Sequence, residues 1–178
     1  MPRVTQAHLD ARRQQIVDAA RARFASHGFA RTSMPDLVAA SGLSTGAIYR
    51  YFKSKDEIVV AICEQAGQAL PTALTPESVR EFLGHVRVMA RDHGHARLVA
   101  QIYAEAAVSP ALASVVRHQL EELRTAVAAL VPDRSAQDAE RVAEAFVAIC
   151  NGYAQQLAVR GDLDPEPFAA ALDAVIAA

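Results

Sequence analysis

The stretch Thr32–Phe52 constrains this chain more than any other: two short apolar-periodic segments meet at Ser41-Gly42-Leu43, where glycine supplies the positive φ of a tight turn. Ser33 is placed to cap the first segment, Met34–Ala40. Pro35 and Asp36 sit in its first turn, where a missing N–H costs nothing and the helix dipole favours an acid. Ser44 caps a second helix running to about Phe52. Leu37, Val38, Leu43 and Ile48 fall where they pack the two helices together, leaving polar and aromatic groups of the second facing outward. That second helix opens on the small residues Ser44, Thr45, Gly46 and Ala47, which let backbone N–H groups approach phosphates or base edges. Tyr49 and Tyr51 add phenol hydroxyls suited to phosphate oxygens, and the chain's only lysines, Lys53 and Lys55, follow directly.

The rest of the chain reads as helices separated by Gly, Pro and Ser signals, without a convincing strand. One helix precedes the turn, from about Gln6 to Ser26, closed by Gly28; another follows Ser54 to about Ala69. Thr75-Pro76-Glu77 opens a fifth, interrupted at His93-Gly94-His95. Further helices run over about Ala96–Val108, from Ser109-Pro110 towards Pro132, over about Ala136–Val159, and from Asp164-Pro165 onward. The expected fold is therefore all-α, with about nine helices: a helix-turn-helix domain at 1–55 and a helical regulatory and dimerisation domain at 56–178. Alanine and leucine dominate, favouring helix over sheet. No apolar run is long enough to span a membrane and no secretory leader is evident, so a cytoplasmic protein with no membrane partner is expected.

Net charge is only −2, but it is unevenly distributed. Residues 1–55 carry nine Lys or Arg against three Asp, a balance of +6; residues 56–178 carry nine Arg against seventeen acids, a balance of −8. A basic segment on an acidic body suits a polyanionic partner. No Ser-His-Asp or Cys-His spacing and no glycine-rich phosphate loop stands out, so an enzyme is disfavoured. Cys63 and Cys150 read as small buried hydrophobes. His85, His93 and His95 raise the possibility of a metal, but their Gly-containing helix break reads as solvated loop; no metal and no cofactor are expected.

The motif resembles the DNA-binding domain of the TetR (tetracycline repressor) family. The resemblance rests on Gly28-Phe29, Thr32-Ser33, Ser41-Gly42-Leu43-Ser44, Gly46-Ala47-Ile48-Tyr49-Arg50-Tyr51-Phe52 and Ser54-Lys55-Asp56, within residues 11–60. It departs from the family at Val38 and Ser41, where alanines are usual, and at Ala47, where a hydroxyl is common. The resemblance implies that Thr32, with Ser33 beside it, Ser44, Tyr49, Tyr51 and Lys55 contact the phosphodiester backbone. It implies that Thr45, Gly46, Ala47 and Arg50 lie nearest the base edges, with Arg3, Arg12 and Arg13 adding non-specific attraction. It further implies a homodimer on an inverted repeat of double-stranded DNA, released by a small-molecule effector.

Beyond residue 60 the resemblance fades. Candidate effector contacts are Phe82, Val86, Met89, Ile102, Tyr103, Ala106 and Val116, whose spacing fits an ordinary core equally well. Gln101 and Glu105 share one face of an apolar helix, as polar contacts in a pocket or as a solvated edge. The helix containing Gly152 carries one apolar stripe through Val142, Phe146 and Tyr153 and a second through Ala143, Val147, Ala154 and Ala158. The second stripe asks for another partner, and the resemblance suggests the same helix of a second subunit. Val147, Gly152 and Ala154, with Phe168, Leu172 and Val175 of the last helix, are the expected dimer interface.

Overall fold

The computed structural model describes residues 5–67 and 70–178; Arg3, Ala69 and the side chain of His93 lie outside the described residues. Among those residues there are nine α-helices and no strand. They are α1 (Gln6–His27), α2 (Met34–Ser41), α3 (Thr45–Tyr51), α4 (Lys55–Gly67), α5 (Pro76–His93), α6 (His95–Ala106), α7 (Pro110–Ala128), α8 (Ala136–Arg160) and α9 (Glu166–Ala177). No helix among them is long and apolar enough to cross a membrane.

Local chemistry sets most of these boundaries. Hydroxyls of Thr5, Ser33, Ser44, Thr75, Ser109 and Ser135 each accept a backbone N–H from the first turn of the helix they open. The Ser54 hydroxyl does the same for Glu57, in α4. Gly94, at φ 61°, ends α5 and begins α6 in one residue, a left-handed conformation that a side chain would strain. α7 stops at Ala128, short of Pro132, because two residues in a tightened last turn already satisfy its carbonyls.

Two cores form. In the first, Ile16, Phe24, Leu37, Ile48, Phe52, Ile58 and Ile62 of the N-terminal segment and α4 are joined by Leu98 and Ile102 of α6 and Leu112 of α7. The second gathers Val79, Leu83, Val127, Phe146, Tyr153, Leu157 and Leu172 from α5, α7, α8 and α9. The 55/56 boundary falls at the first residue of α4, whose apolar face packs into the first core. Exposed ion pairs from Arg80 to Glu166 and Asp173 align α9 along α5, and a pair from Arg87 to Asp162 ties α5 to the connection between α8 and α9. Pairs so open to solvent orient more than they stabilise.

Much of the stripe on α8 expected to meet a partner is covered within one chain. Val147 is 4% exposed, and Ala143 and Ala154 are also buried within one chain. Leu172 of α9 is likewise buried. α8 packs against α5, α6, α7 and α9 at once, so apolar residues on more than one side are covered inside the protomer. These residues expose little surface in the single chain. Gly152, Phe168 and Val175 remain half-exposed.

Because Leu98 completes a core built mainly by α1–α4, Leu98→Ala should lower unfolding free energy by about 2–5 kcal/mol. Urea unfolding followed by circular dichroism should show one transition at a lower midpoint. Two separated transitions would mean that the cores do not share residues energetically.

Candidate nucleic-acid interface

α2 has eight residues and α3 seven, and each is positioned by its caps and by what it buries. Ser33 and Asp36 form a reciprocal capping box at the start of α2: the Asp36 carboxylate accepts the Ser33 N–H at 2.8 Å and its hydroxyl at 2.6 Å. Gly42, at φ 68°, then reverses the chain. Ser44 caps α3, and Ile48 and Phe52 bury its inner side. The outer side carries Ser44, Thr45, Gly46, Tyr49 and Arg50, all exposed, with Ala47 and Tyr51 half-buried at its edges. A Cβ at Gly46 would meet open space, so the backbone there is accessible.

Neighbouring cations are tied to this unit. The Arg13 guanidinium lies 5.3 Å from the Phe52 ring centroid and pairs with Glu64. Arg12 donates to Gln15 Oε1, and Gln15 Nε2 donates to the Ser41 carbonyl at 2.8 Å. Gln15 thus braces the turn from α1, a role that periodicity alone did not reveal. Lys55 Nζ donates to the Phe29 carbonyl at 3.0 Å and lies 4.3 Å from the Phe29 ring centroid.

One expected contact needs correction. Thr32 is 1% exposed, and its hydroxyl donates to the Gly28 carbonyl at 2.8 Å, latching the end of α1 to the start of α2. A buried, engaged hydroxyl is not presented to a phosphate. Ser33 is exposed, with its hydroxyl directed to Asp36.

The expected effector contacts do not converge. Phe82 and Val86 pack on the second core; Ile102, Ala106 and Val116 belong to the first. Met89 lines a cleft of about 410 Å³ with Asp18, Arg21, Ala22 and Asp92. Glu105 lines an open groove of about 260 Å³ with Gly28, Phe29, Ala30, Arg31, Gln101 and Ala104. Helical spacing could not separate these residues, because two cores share α6 and α7. Tyr103 accepts from Asn151 Nδ2 at 3.0 Å, which explains why an amide interrupts the apolar pattern of α8. Burial pushes the Tyr103 phenol up from its ordinary value. Burial also pushes the Cys63 thiol up to about 11 and Cys150 up to about 12, so neither is a thiolate near neutral pH. No group of three or more His, Cys, Asp or Glu among the described residues could hold a metal ion.

A family model described as "Bacterial regulatory proteins, tetR family" matches residues 16–62, and one described as "BetI-type transcriptional repressor, C-terminal" matches residues 73–178. The chain is 35% identical over 79 residues to the HTH-type transcriptional repressor Rv1474c of Mycobacterium tuberculosis, covering 44% of this chain and 42% of that protein. It is 30% identical over 89 residues to the HTH-type transcriptional repressor AcnR of Corynebacterium diphtheriae, covering 48% and 47%. The matches thus span less than half the length of these relatives. Among solved structures, Salmonella enterica GusR superposes with a TM-score of 0.74 at 26% identity, over 98% of this chain and 97% of that one. A TetR-like transcriptional regulator from Rhodococcus sp. RHA1 superposes with a TM-score of 0.62 at 27% identity, covering 98% and 96%.

The Ser33 hydroxyl cap contributes about 0.5–2 kcal/mol, so Ser33→Ala should lower the urea midpoint accordingly. Hydrogen bonds from the Ser33 side chain and backbone hold the Asp36 carboxyl below its ordinary value of 3.8, with Arg23 and His27 assisting. A depressed folded-state value adds stability above the unfolded value, and that stability is lost as pH falls through the folded one. The gap between wild type and Ser33→Ala should therefore be fully present above about pH 4 and shrink in stronger acid. A gap that widened on acidification would contradict the capping-box assignment.

Proposed function

From the premise that this chain belongs to the tetR family of bacterial regulatory proteins, we propose that it represses transcription from an inverted-repeat operator and lets go when a small apolar molecule binds its C-terminal helices. The chain is a transcriptional regulator of that family, not an enzyme. The observation that carries the reading is α3: an exposed face of Ser44, Thr45, Gly46, Tyr49 and Arg50 on a helix whose other face is anchored by Ile48 and Phe52. A rigid short helix with small residues at its N-terminus fits a major groove. Ser44, Tyr49 and Lys55 take phosphates, with Ser33 and Tyr51 at the rim of the same surface. Thr45, Gly46, Ala47 and Arg50 face base edges, the Ala47 methyl suiting a thymine methyl.

The operator symmetry follows from a dimer. Gly152 of α8 has open space where a Cβ would stand, and Phe168 and Val175 of α9 are half-exposed. Exposed Ala148, Ala170, Ala171 and Ala174 lie on the same two helices. Small side chains there allow a second copy to approach closely, and a two-fold pair presents two equivalent α3 helices. Glycine within a helix costs about 1 kcal/mol relative to alanine, which close backbone approach at Gly152 would justify. An effector would meet the apolar residues of α5–α8, with the Tyr103–Asn151 pair as its polar feature. A regulatory domain after a DNA-binding domain of residues 1–55 is the organisation this reading requires.

Selection of duplexes from a random pool by the purified chain tests the proposal. It should enrich two half-sites in inverted orientation. Affinity for the enriched duplex should fall by orders of magnitude between about 50 and 200 mM salt, with a log–log slope near −0.9 for each neutralised phosphate. Gly152→Arg should sediment as a folded monomer and enrich no symmetric site. Enrichment of lone half-sites, or salt-independent binding, would refute the reading.

A further inference from the structure

The backbone of Phe29 is a junction between three parts of the molecule. Its N–H donates to Gln101 Oε1 of α6 at 2.9 Å. Its carbonyl accepts from Lys55 Nζ, at the first residue of α4, at 3.0 Å and from the Thr32 N–H at 3.2 Å. Its ring sits under the Lys55 ammonium and against Phe24, with centroids 5.2 Å apart. Phe29 is 5% exposed, and Gln101 meets its backbone N–H at the wall of the open groove that both residues line. A backbone N–H requires an acceptor, so the amide oxygen of Gln101 must face it.

We propose that Gln101 is a positioning residue for DNA binding: it holds the Phe29 N–H from α6, and through that residue's backbone fixes Lys55 at the edge of the DNA-facing surface. The inference rests on the reading that α3 and Lys55 face DNA. α6 is tied at neighbouring positions to different bodies. Tyr103 is held by Asn151 of α8, while Gln101 holds the start of the α1–α2 connection. A displacement of α6 relative to α8 therefore moves the acceptor of the Phe29 N–H. The Phe29 carbonyl belongs to the next peptide group of the same turn, so its hold on Lys55 moves too. Gln101 does not touch the proposed DNA surface; it acts on Lys55 through Phe29.

The test uses the full chain and the duplex enriched by wild type in the random-pool selection. Gln101→Leu keeps the size and removes the acceptor; Gln101→Glu keeps an acceptor oxygen. Gln101→Leu should bind about tenfold more weakly, and Gln101→Glu should stay within about threefold of wild type. Amide hydrogen exchange at Phe29 should accelerate in Gln101→Leu alone. In a Lys55→Ala background the Gln101→Leu loss should shrink, because both side chains act on one turn. Equal losses in Leu and Glu variants would overturn the inference, as would a loss unaltered by Lys55→Ala. If Gln101→Leu binds as wild type does while Lys55→Ala binds weakly, the inference alone fails. If wild type enriches no duplex, the regulator reading fails and takes the inference with it.

Discussion

A helix of seven residues cannot hold itself together in water, and the whole proposed function depends on one. α3 exists because Ile48 and Phe52 are buried in a core to which α1, α2, α4, α6 and α7 all contribute. Burial fixes its inner face, the Ser44 cap fixes its start, and the outer face is left for a partner. The energetic weight therefore lies beneath the recognition surface rather than on it. On the proposed function, a substitution at Thr45 or Arg50 would alter what is read; one at Ile48 would remove the reader.

That shared core has a second consequence. Leu98, Ile102 and Leu112 come from helices of the C-terminal body, yet they pack among the residues that support α3. The two ends of the chain are thus mechanically joined by close-packed side chains, which have few alternative arrangements. Phe29 adds a directional link in which donor and acceptor each face a different helix. Packing carries the load, and the hydrogen bonds define its orientation. On the proposed function, an effector bound among α5–α8 would need only to shift α6 for the DNA-facing end to respond.

Much of this was legible from residue order. Caps at Ser33, Ser44 and Thr75, the reversal at Gly42 and the break at Gly94 are local events, decided by chemistry within a turn of helix. The helix-turn-helix and its family resemblance followed. What could not be read was which neighbour covers each apolar face. α8 has two apolar stripes because four helices of its own chain surround it, and a single-helix argument assigned one stripe to a partner. The candidate effector residues share helical spacing but divide between two cores. Thr32 and Gln101 depend on contacts with Gly28 and Phe29 that no periodicity encodes. The pairing of Asn151 with Tyr103 joins two helices, which no single-helix pattern encodes.

The central claim is that α3 and its flanking caps meet DNA. Hydrogen–deuterium exchange of the full chain, with and without its selected duplex, tests it most directly. The account predicts added protection concentrated over residues 44–55, with lesser change at the start of α2. Protection confined to α5–α9, with residues 44–55 exchanging as in the free chain, would contradict it.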